Sequence, residues 1–316
     1  MTSTPLLGRQ LLFVTGKGGV GKTTVAAALA ELAAGRGLRT LACEMDAKGA
    51  LSGAFDVPPL RFEPREIRPN LFAMAMNTED SLKEYLRLFV RVPLMGRIGP
   101  LARTFDFVAD AAPGVKEILA VGKLCYEVRE RHYDLVVVDA EASGHVVAQV
   151  GAPQAIRDLV QVGLVRDQTE WMIDILGDPE RTGLVAVTTP EEMPVVETLE
   201  LLDRLRDRTV VTPSAVIANR VLPSIFGEDD AALFARLDSE GPRGLLTERL
   251  GRHLPTVLQA TALAIARQRV GAEHLGRLGD GLPDGLPLLF VPELFSRAGG
   301  PRVVTQVADA LADEEV

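Results

Sequence analysis

The chain has 316 residues, and its 34 basic and 43 acidic side chains give a formal net charge of −9. Apolar residues make up 47% and charged residues 24%, which is typical of a globular protein and excludes disordered, fibrous and disulfide-rich secreted classes. Because the chain is acidic, we do not expect it to bind nucleic acid or an anionic membrane through bulk charge.

The two cysteines, Cys43 and Cys125, lie far apart and form no CxxC pair. The sequence therefore argues against a zinc or iron–sulfur site within one chain. The first ten residues contain no apolar segment typical of a secretory signal, and no stretch approaches the ~18 uninterrupted apolar residues that a spanning helix needs. We therefore predict a cytoplasmic protein.

Apolar runs along the chain are typical of strands buried on both faces of a parallel sheet. They occur at Leu11–Thr15, Leu38–Cys43, Asn70–Met76, Asp134–Asp139, Gly183–Thr188, Ala215–Ala218 and Leu286–Val291. Helical patterns lie between them, including Thr23–Ala34, Glu191–Arg206 and Asp230–Leu237. This alternation predicts an α/β fold with a mostly parallel sheet flanked by helices. We predict that residues 1–316 form a single domain.

Residues 78–132 interrupt the alternation, because only helical spacing is present there. Apolar side chains recur at helical intervals at Leu82, Tyr85, Leu86 and Phe89, and again at Ile118, Val121, Cys125 and Val128. We predict an α-helical insertion over residues 78–132, between two strands of the sheet. The acidic tail from Ala308 to Val316 is predicted to fray.

The strongest motif is Gly-Lys-Gly-Gly-Val-Gly-Lys-Thr-Thr at residues 16–24, which follows a buried strand and opens a helix. In such a phosphate-binding loop, backbone N–H groups and the helix N-terminus hold phosphate oxygens. We expect this cradle to comprise Gly18, Gly19, Val20, Gly21, Lys22, Thr23 and Thr24. Lys22 would bind the β- and γ-phosphates of ATP, and the Thr23 hydroxyl would bind Mg²⁺.

Two aspartates follow predicted strands at the edge where ligands bind in parallel sheets. Asp139 ends an apolar run and is the candidate second ligand for Mg²⁺. Asp46 follows the second strand and is the candidate for orienting the water that attacks the γ-phosphate. The alternative for Asp139 is a helix N-cap, and for Asp46 a turn or N-cap residue.

Further segments carry a family resemblance over essentially the whole chain. The loop with a second lysine, Lys17, is similar to the deviant Walker A class. Residues 43–52 and 139–145 resemble the two switches of the arsenite-pump (ArsA) and tail-anchored-protein-targeting (Get) ATPases, and Thr189–Glu192 resembles their next loop. Residues 217–220 and 290–295 resemble the segments that line the adenine base.

The resemblance implies a P-loop ATPase that hydrolyses ATP with Mg²⁺ in a two-fold dimer. Lys17 would reach the partner's nucleotide. The candidate catalytic residues are therefore Lys17 together with Lys22 and Asp46. Asn219, Pro292 and Glu293 would contact the base. The expected partners are a second copy or a related ArsA-like subunit, and a hydrophobic client or membrane protein; neither nucleic acid nor zinc is expected.

Three residues depart from the family pattern, namely Ala47 and Lys48 in the first switch and Glu141 in the second. Because of these changes, an alternative function is that of a nucleotide-binding regulatory subunit that pairs with an active relative. Another alternative is a ParA/MinD-type positioning ATPase, although the C-terminal segment 301–316 contains one Arg and four acidic residues and so resembles neither a basic surface nor a membrane helix.

A client-handling role would need an apolar groove in the insertion. The side chains that could supply it are Leu86, Phe89, Val92, Leu94, Met95, Ile98, Leu101, Phe105 and Phe107. The alternative is that these residues form ordinary core, because an apolar stripe at helical spacing commonly packs inward.

Overall fold

The computed structural model describes residues 5–46, 48–87, 114–159, 164–224, 227–237, 240–295 and 299–314. Within them, eight strands form one sheet in the order β3-β4-β2-β5-β1-β6-β7-β8. The strands are β1 Leu11–Gly16, β2 Thr40–Glu44, β3 Arg65–Arg68, β4 Leu71–Ala75, β5 Leu135–Asp139, β6 Thr182–Thr188, β7 Pro213–Val221 and β8 Leu288–Pro292. Every pairing is parallel except that of β3 with β4. The predicted α/β fold with a mostly parallel sheet is confirmed.

Helices cover both faces of the sheet. They are α1 Lys22–Gly35, α2 Ala50–Phe55, α3 Thr78–Tyr85, α4 Val115–Arg129, α5 Ser143–Leu159, α6 Leu164–Gly177, α7 Glu192–Arg208, α8 Glu228–Leu237, α9 Glu240–Leu250, α10 Leu254–Gly281 and α11 Pro301–Asp313. Strands β1, β2, β5 and β6 are buried along their whole length. Because helices exclude water from both faces, these strands read as continuous apolar runs.

Two apolar clusters lie on opposite faces of the sheet. One contains α1 and α11, with Leu12, Val14 and Val137 from the strands. The other contains α4, α6 and α7, with Leu11, Phe13 and other strand residues of alternate parity. The sheet is therefore packed on both faces, and this packing positions the strand ends that bear the candidate site.

Residues Pro301–Asp313 form helix α11, so the predicted fraying from Ala308 is wrong as far as Asp313. Helix α11 packs on α1, and the side chains of Ala308 and Leu311 are buried. The acidic side chains within the helix, Asp309 and Asp313, lie on the opposite, exposed side. An amphipathic helix buries one face whatever the charge on the other.

The predicted insertion is described only at its two ends, by α3 and α4. Val121, Cys125 and Val128 on α4 are buried in the second apolar cluster, so this part of the helical stripe is core. Of the groove candidates, Leu86 is half-buried, and those from Phe89 to Phe107 lie outside the described residues. The boundaries 78–132 stay a prediction. Within the described part of the chain, no helix combines the length and apolar character needed to cross a membrane.

Candidate functional site

The loop after β1 leads directly into α1 at the carboxyl edge of the sheet. Gly21 precedes the helix with a φ of 96°, and no side chain caps the first turn of α1. A Cβ atom at Gly21 would lie 2.4 Å from Asn219 Nδ2, so both backbone conformation and space require glycine here. The N–H groups at the start of α1 are thus left for a ligand, and a helix N-terminus favours an anion.

Lys22 lies at the first position of α1 and is half-buried. Its Nζ donates to the carbonyl oxygen of Lys17 at 3.2 Å, which holds the side chain over the loop. Burial lowers the pKa of Lys22, and the negative charge of Asp139 opposes that shift. Gly18 and Gly19 have open space where a Cβ would lie, whereas Val20 is buried in the α1 cluster and anchors the loop.

Thr23 and Asp139 meet beside the loop. The Thr23 hydroxyl donates to Asp139 Oδ2 at 2.7 Å, and Asp139 Oδ1 is buried without a hydrogen-bond partner. Burial raises the pKa of Asp139 to about 6; the Thr23 hydrogen bond and Lys22 lower it, and Glu44 and Asp46 raise it further. The predicted metal ligands are therefore adjacent, although they come from positions 116 residues apart in the chain.

Glu44 is a site residue that the sequence reasoning missed. It ends β2, is the register partner of Asp139 on β5, and is only 2% exposed. Its Oε1 accepts a hydrogen bond from the Ala50 N–H at 2.8 Å, and its Oε2 is buried without a partner. The available signal was an acidic residue at the end of an apolar run, which the nearby Asp46 obscured.

Asp46 lies just beyond β2 and is exposed. Its carboxylate forms an ion pair with Lys48, which stands at one of the positions that depart from the family pattern. Hydrogen bonding and charge from Asp46 raise the pKa of Lys48, and the charge of Glu141 contributes in the same direction. Two of the unusual switch residues, Lys48 and Glu141, are thus electrostatically complementary across the site.

Lys17 forms an ion pair with Glu197 on α7 of its own chain. The Lys17 and Glu197 side chains are 31% and 28% exposed, so the pair lies at the surface of the site and not in the core. The structure therefore places Lys17 against α7, and its predicted role across a dimer interface stays a prediction.

A cavity of about 990 Å³ opens beside the start of α1. Gly21, Thr24, Asn219, Pro292 and Glu293 line it, which brings together the predicted loop and base-contacting residues. Helix α10, which the sequence analysis did not identify, forms another wall through Arg267 and Gly271 among others. The volume of this cavity is at the upper end of the range typical of small-molecule sites.

The Asn219 amide is committed to local structure. Its Nδ2 donates to the Val20 carbonyl at 2.8 Å, and its Oδ1 accepts from the Arg220 N–H at 3.0 Å. Arg220 has a φ of 58°, a left-handed conformation that is uncommon for a residue other than glycine. Asn219 therefore ties the end of β7 to the phosphate-binding loop, while its predicted contact with a base is untested.

Comparisons with known proteins give consistent results. The profile of the ArsA ATPase family, described as anion-transporting ATPase, matches residues 9–165 and 154–240. The chain is 34% identical to ATPase BagA of Mycobacterium tuberculosis over 77% of this chain and 75% of that protein. It is 27% identical to a protein of Halobacterium salinarum assigned as an arsenical pump-driving ATPase, over 71% of this chain and 37% of that protein.

A third relative is the ATPase ASNA1 homolog of Entamoeba dispar, which is 27% identical over 67% of this chain and 76% of that protein. The predicted resemblance is thereby confirmed, and the names of these relatives agree on ATPase activity in general. The chain belongs to the ArsA family of ATPases.

Proposed function

We propose that this chain binds ATP with Mg²⁺ and hydrolyses it to ADP and phosphate. The observation that carries the proposal is the contact between Thr23 and Asp139, made beside a helix N-terminus that no side chain caps. A hydroxyl, a buried carboxylate and free N–H groups at one point are the parts that a phosphate–metal site requires. Membership of an ATPase family supports the same activity.

The loop fits the triphosphate. The N–H groups from Gly18 to Thr24 would hold phosphate oxygens, and Lys22 would place its charge on the β- and γ-phosphates. The cavity that extends from Gly21 past Asn219 to Pro292 and Glu293 would receive the nucleoside. Part of its lining comes from the carboxyl ends of β7 and β8, which lie on the same side as the loop after β1 because β1, β6, β7 and β8 run parallel.

The side chains of Asp139 and Thr23 beside the loop are suited to bind a magnesium ion. Asp139 Oδ1 is a buried carboxylate oxygen without a partner, and Thr23 supplies a hydroxyl. Oxygen ligands of this type are those that Mg²⁺ prefers, and the ion would neutralise phosphate charge when bound. Asp139 and Thr23 would hold it, while Lys22 would stabilise the charge that develops on the leaving phosphate oxygens.

Asp46 would orient the attacking water. In the structure Lys48 occupies its carboxylate, so this ion pair must open or turn for Asp46 to act. The pair is exposed to solvent, where ion pairs are weak and exchange readily. We therefore expect the pair to open at little cost in free energy when the site is loaded.

A two-fold dimer would complete the site. Lys17 would leave Glu197 and neutralise phosphate charge in the partner's site, so that closure and hydrolysis depend on each other. The ion pair between Lys17 and Glu197 then competes with the dimer contact within each chain. The partner would be a second copy or a related ArsA-like subunit.

The work of the cycle would be done on a hydrophobic client or a membrane-associated protein. The first switch lies upstream of the helices α3 and α4, and the second begins at Asp139, the last residue of β5, so nucleotide state can bias the insertion between them. Both cysteines are buried, and burial raises the pKa of the Cys125 thiol to about 12, which disfavours capture of a soft metalloid by thiolate. Client proteins that co-purify with a hydrolysis-blocked chain in ATP and also in ADP would contradict a nucleotide-driven cycle.

A regulatory subunit is the second candidate function, and the Asp46–Lys48 ion pair is the observation that favours it. Such a subunit would bind nucleotide without turning it over. The positioning-ATPase alternative has less support, because the apolar face of α11 is buried against α1 and is not presented to a membrane.

The test of nucleotide binding uses Lys22→Ala, with Lys83→Ala on α3 as the control. Binding of a fluorescent ATP analogue with Mg²⁺ should fall at least about 100-fold in Lys22→Ala, since a charge-assisted contact to two phosphates is removed. Lys83→Ala should bind like the wild type. A Lys22→Ala variant that binds the analogue as tightly as the wild type would refute the assignment of the loop.

A further inference from the structure

Two buried carboxylates lie side by side where β2 and β5 end. Glu44 and Asp139 are register partners on these neighbouring parallel strands, and the Met45 N–H donates to the Asp139 carbonyl at 3.1 Å. Ala42 and Val137 both pack in the α1 cluster. Because alternate residues of a strand share a face, Glu44 and Asp139 lie on the α1 face as well, next to the phosphate-binding loop.

Each of these carboxylates has one oxygen engaged and one free. Glu44 Oε1 accepts from the Ala50 N–H, and Asp139 Oδ2 accepts from the Thr23 hydroxyl. Glu44 Oε2 and Asp139 Oδ1 are buried without a hydrogen-bond partner, in side chains whose residues are 2% and 7% exposed. Two carboxylate oxygens without partners, carried by residues that are register partners and shielded from water, favour a bound cation.

We propose that Glu44 is the second acidic side chain of the magnesium site, with Oε2 facing the ion or its water shell. The inference rests on the proposed binding of ATP with Mg²⁺ and extends it to a residue that had no assigned role. Mg²⁺ is commonly held by one or two carboxylates together with substrate phosphates and water.

Glu44 also connects this site to the first switch. Its Oε1 holds the N–H of Ala50, the first residue of α2, and the segment between Glu44 and Ala50 contains Asp46. An ion that fixes the Glu44 carboxylate therefore restrains the start of α2 and the position of Asp46. Binding of the metal to Glu44 would therefore change the conformation of the first switch, which contains the residue that orients the attacking water.

The test is the magnesium dependence of nucleotide affinity in Glu44→Gln. A non-hydrolysable ATP analogue is titrated in EDTA and at increasing Mg²⁺, and Mn²⁺ binding is followed separately by electron paramagnetic resonance. Affinity in EDTA should match that of the wild type, whereas metal affinity should fall about tenfold or more. Glu127→Gln is the burial-matched control, because Glu127 is 4% exposed and pairs with Lys123 away from the loop.

An unchanged metal affinity in Glu44→Gln would overturn the proposal, and the wild type would still bind Mg·ATP. A wild type whose analogue binding does not respond to Mg²⁺ would instead refute the proposed function and this inference with it. Glu44→Asp keeps the charge but shortens the side chain, and we expect metal affinity between those of Glu44→Gln and the wild type.

If the variants do not fold, a measurement on the wild type alone tests whether Glu44 contacts the ion. Hydrogen exchange at the Ala50 amide is compared in the analogue with EDTA and in the analogue with Mg²⁺. Exchange should slow when Mg²⁺ is added, because the carboxylate that accepts this N–H becomes fixed. Equal exchange in the two conditions would contradict the proposed link between Glu44 and the ion.

Discussion

At the scale of single residues, Asp139 shows how a binding site can oppose stability. Its carboxylate is buried beside Glu44, and burial raises its pKa to about 6 from an ordinary value of 3.8. The ionised form is therefore disfavoured in the folded, metal-free protein. A cation bound to Asp139 would relieve that penalty. The ionised Asp139 therefore destabilises the folded protein without metal and stabilises it when metal is bound.

We predict that Asp139→Asn stabilises the metal-free protein at pH 7.5. The substitution removes the buried charge but keeps an oxygen that can accept from the Thr23 hydroxyl, so the free energy of unfolding should rise by about 1–3 kcal/mol. Denaturant unfolding in EDTA measures the change. The variant should also lose the stabilisation that Mg·ATP gives the wild type, and a destabilised Asp139→Asn variant would contradict this account.

The pH dependence of the wild type follows from the same pKa. Because the pKa of Asp139 is higher in the folded protein, the folded state binds more protons between about pH 4 and 6. The contribution of Asp139 to stability is therefore largest below pH 4 and falls as the pH rises to about 6. In Asp139→Asn this part of the pH dependence should be absent.

At the scale of elements, the central strands and α1 could be predicted, because burial on both faces leaves an apolar run and the loop motif fixes the helix start. Strand β3 could not be predicted, because it lies at the antiparallel edge of the sheet with Arg65 and Glu66 exposed. A strand in this position needs no apolar run. Helix α10 was missed because few side chains along it are buried, among them Leu254, Leu258 and Leu278. It is nevertheless a wall of the cavity.

The candidate site shows the same limits. Lys22, Thr23 and Asp139 follow from local patterns, because a loop motif and a strand end mark them. The role of Glu44 depends on its register with Asp139, and the engagement of Lys17 depends on the position of α7. Such contacts between distant parts of the chain are set by packing and leave no periodic signal in the sequence.

Helix α11 gives an element-scale prediction. Leu311 is fully buried between α11 and the α1 cluster, so Leu311→Ala leaves a cavity and should lower the free energy of unfolding by about 2–5 kcal/mol. Gln306→Ala on the exposed side of the same helix is the control and should have little effect. Equal stability of the two variants in chemical denaturation would show that α11 is not part of the core.

At the scale of the whole molecule, the proposed dimer depends on Lys17 leaving Glu197. We predict that Lys17→Ala binds the ATP analogue like the wild type but hydrolyses ATP more slowly, since the partner's site loses a positive charge. Sedimentation with the analogue should show tighter association for the wild type than for the variant. A wild type that stays monomeric with the analogue, alone and with a related subunit, would contradict the dimer.

The central claim is that this chain hydrolyses ATP by means of Asp46, and phosphate release at saturating Mg·ATP tests it most directly. The comparison is between the wild type, Asp46→Asn and Asp309→Asn, an exposed aspartate on α11, with analogue affinity measured in parallel. We predict equal affinities, a kcat at least about tenfold lower in Asp46→Asn, and an unchanged kcat in Asp309→Asn. An Asp46→Asn kcat equal to that of the wild type would contradict the role of Asp46. A wild type that binds Mg·ATP and releases no phosphate would contradict the whole claim and favour the regulatory subunit.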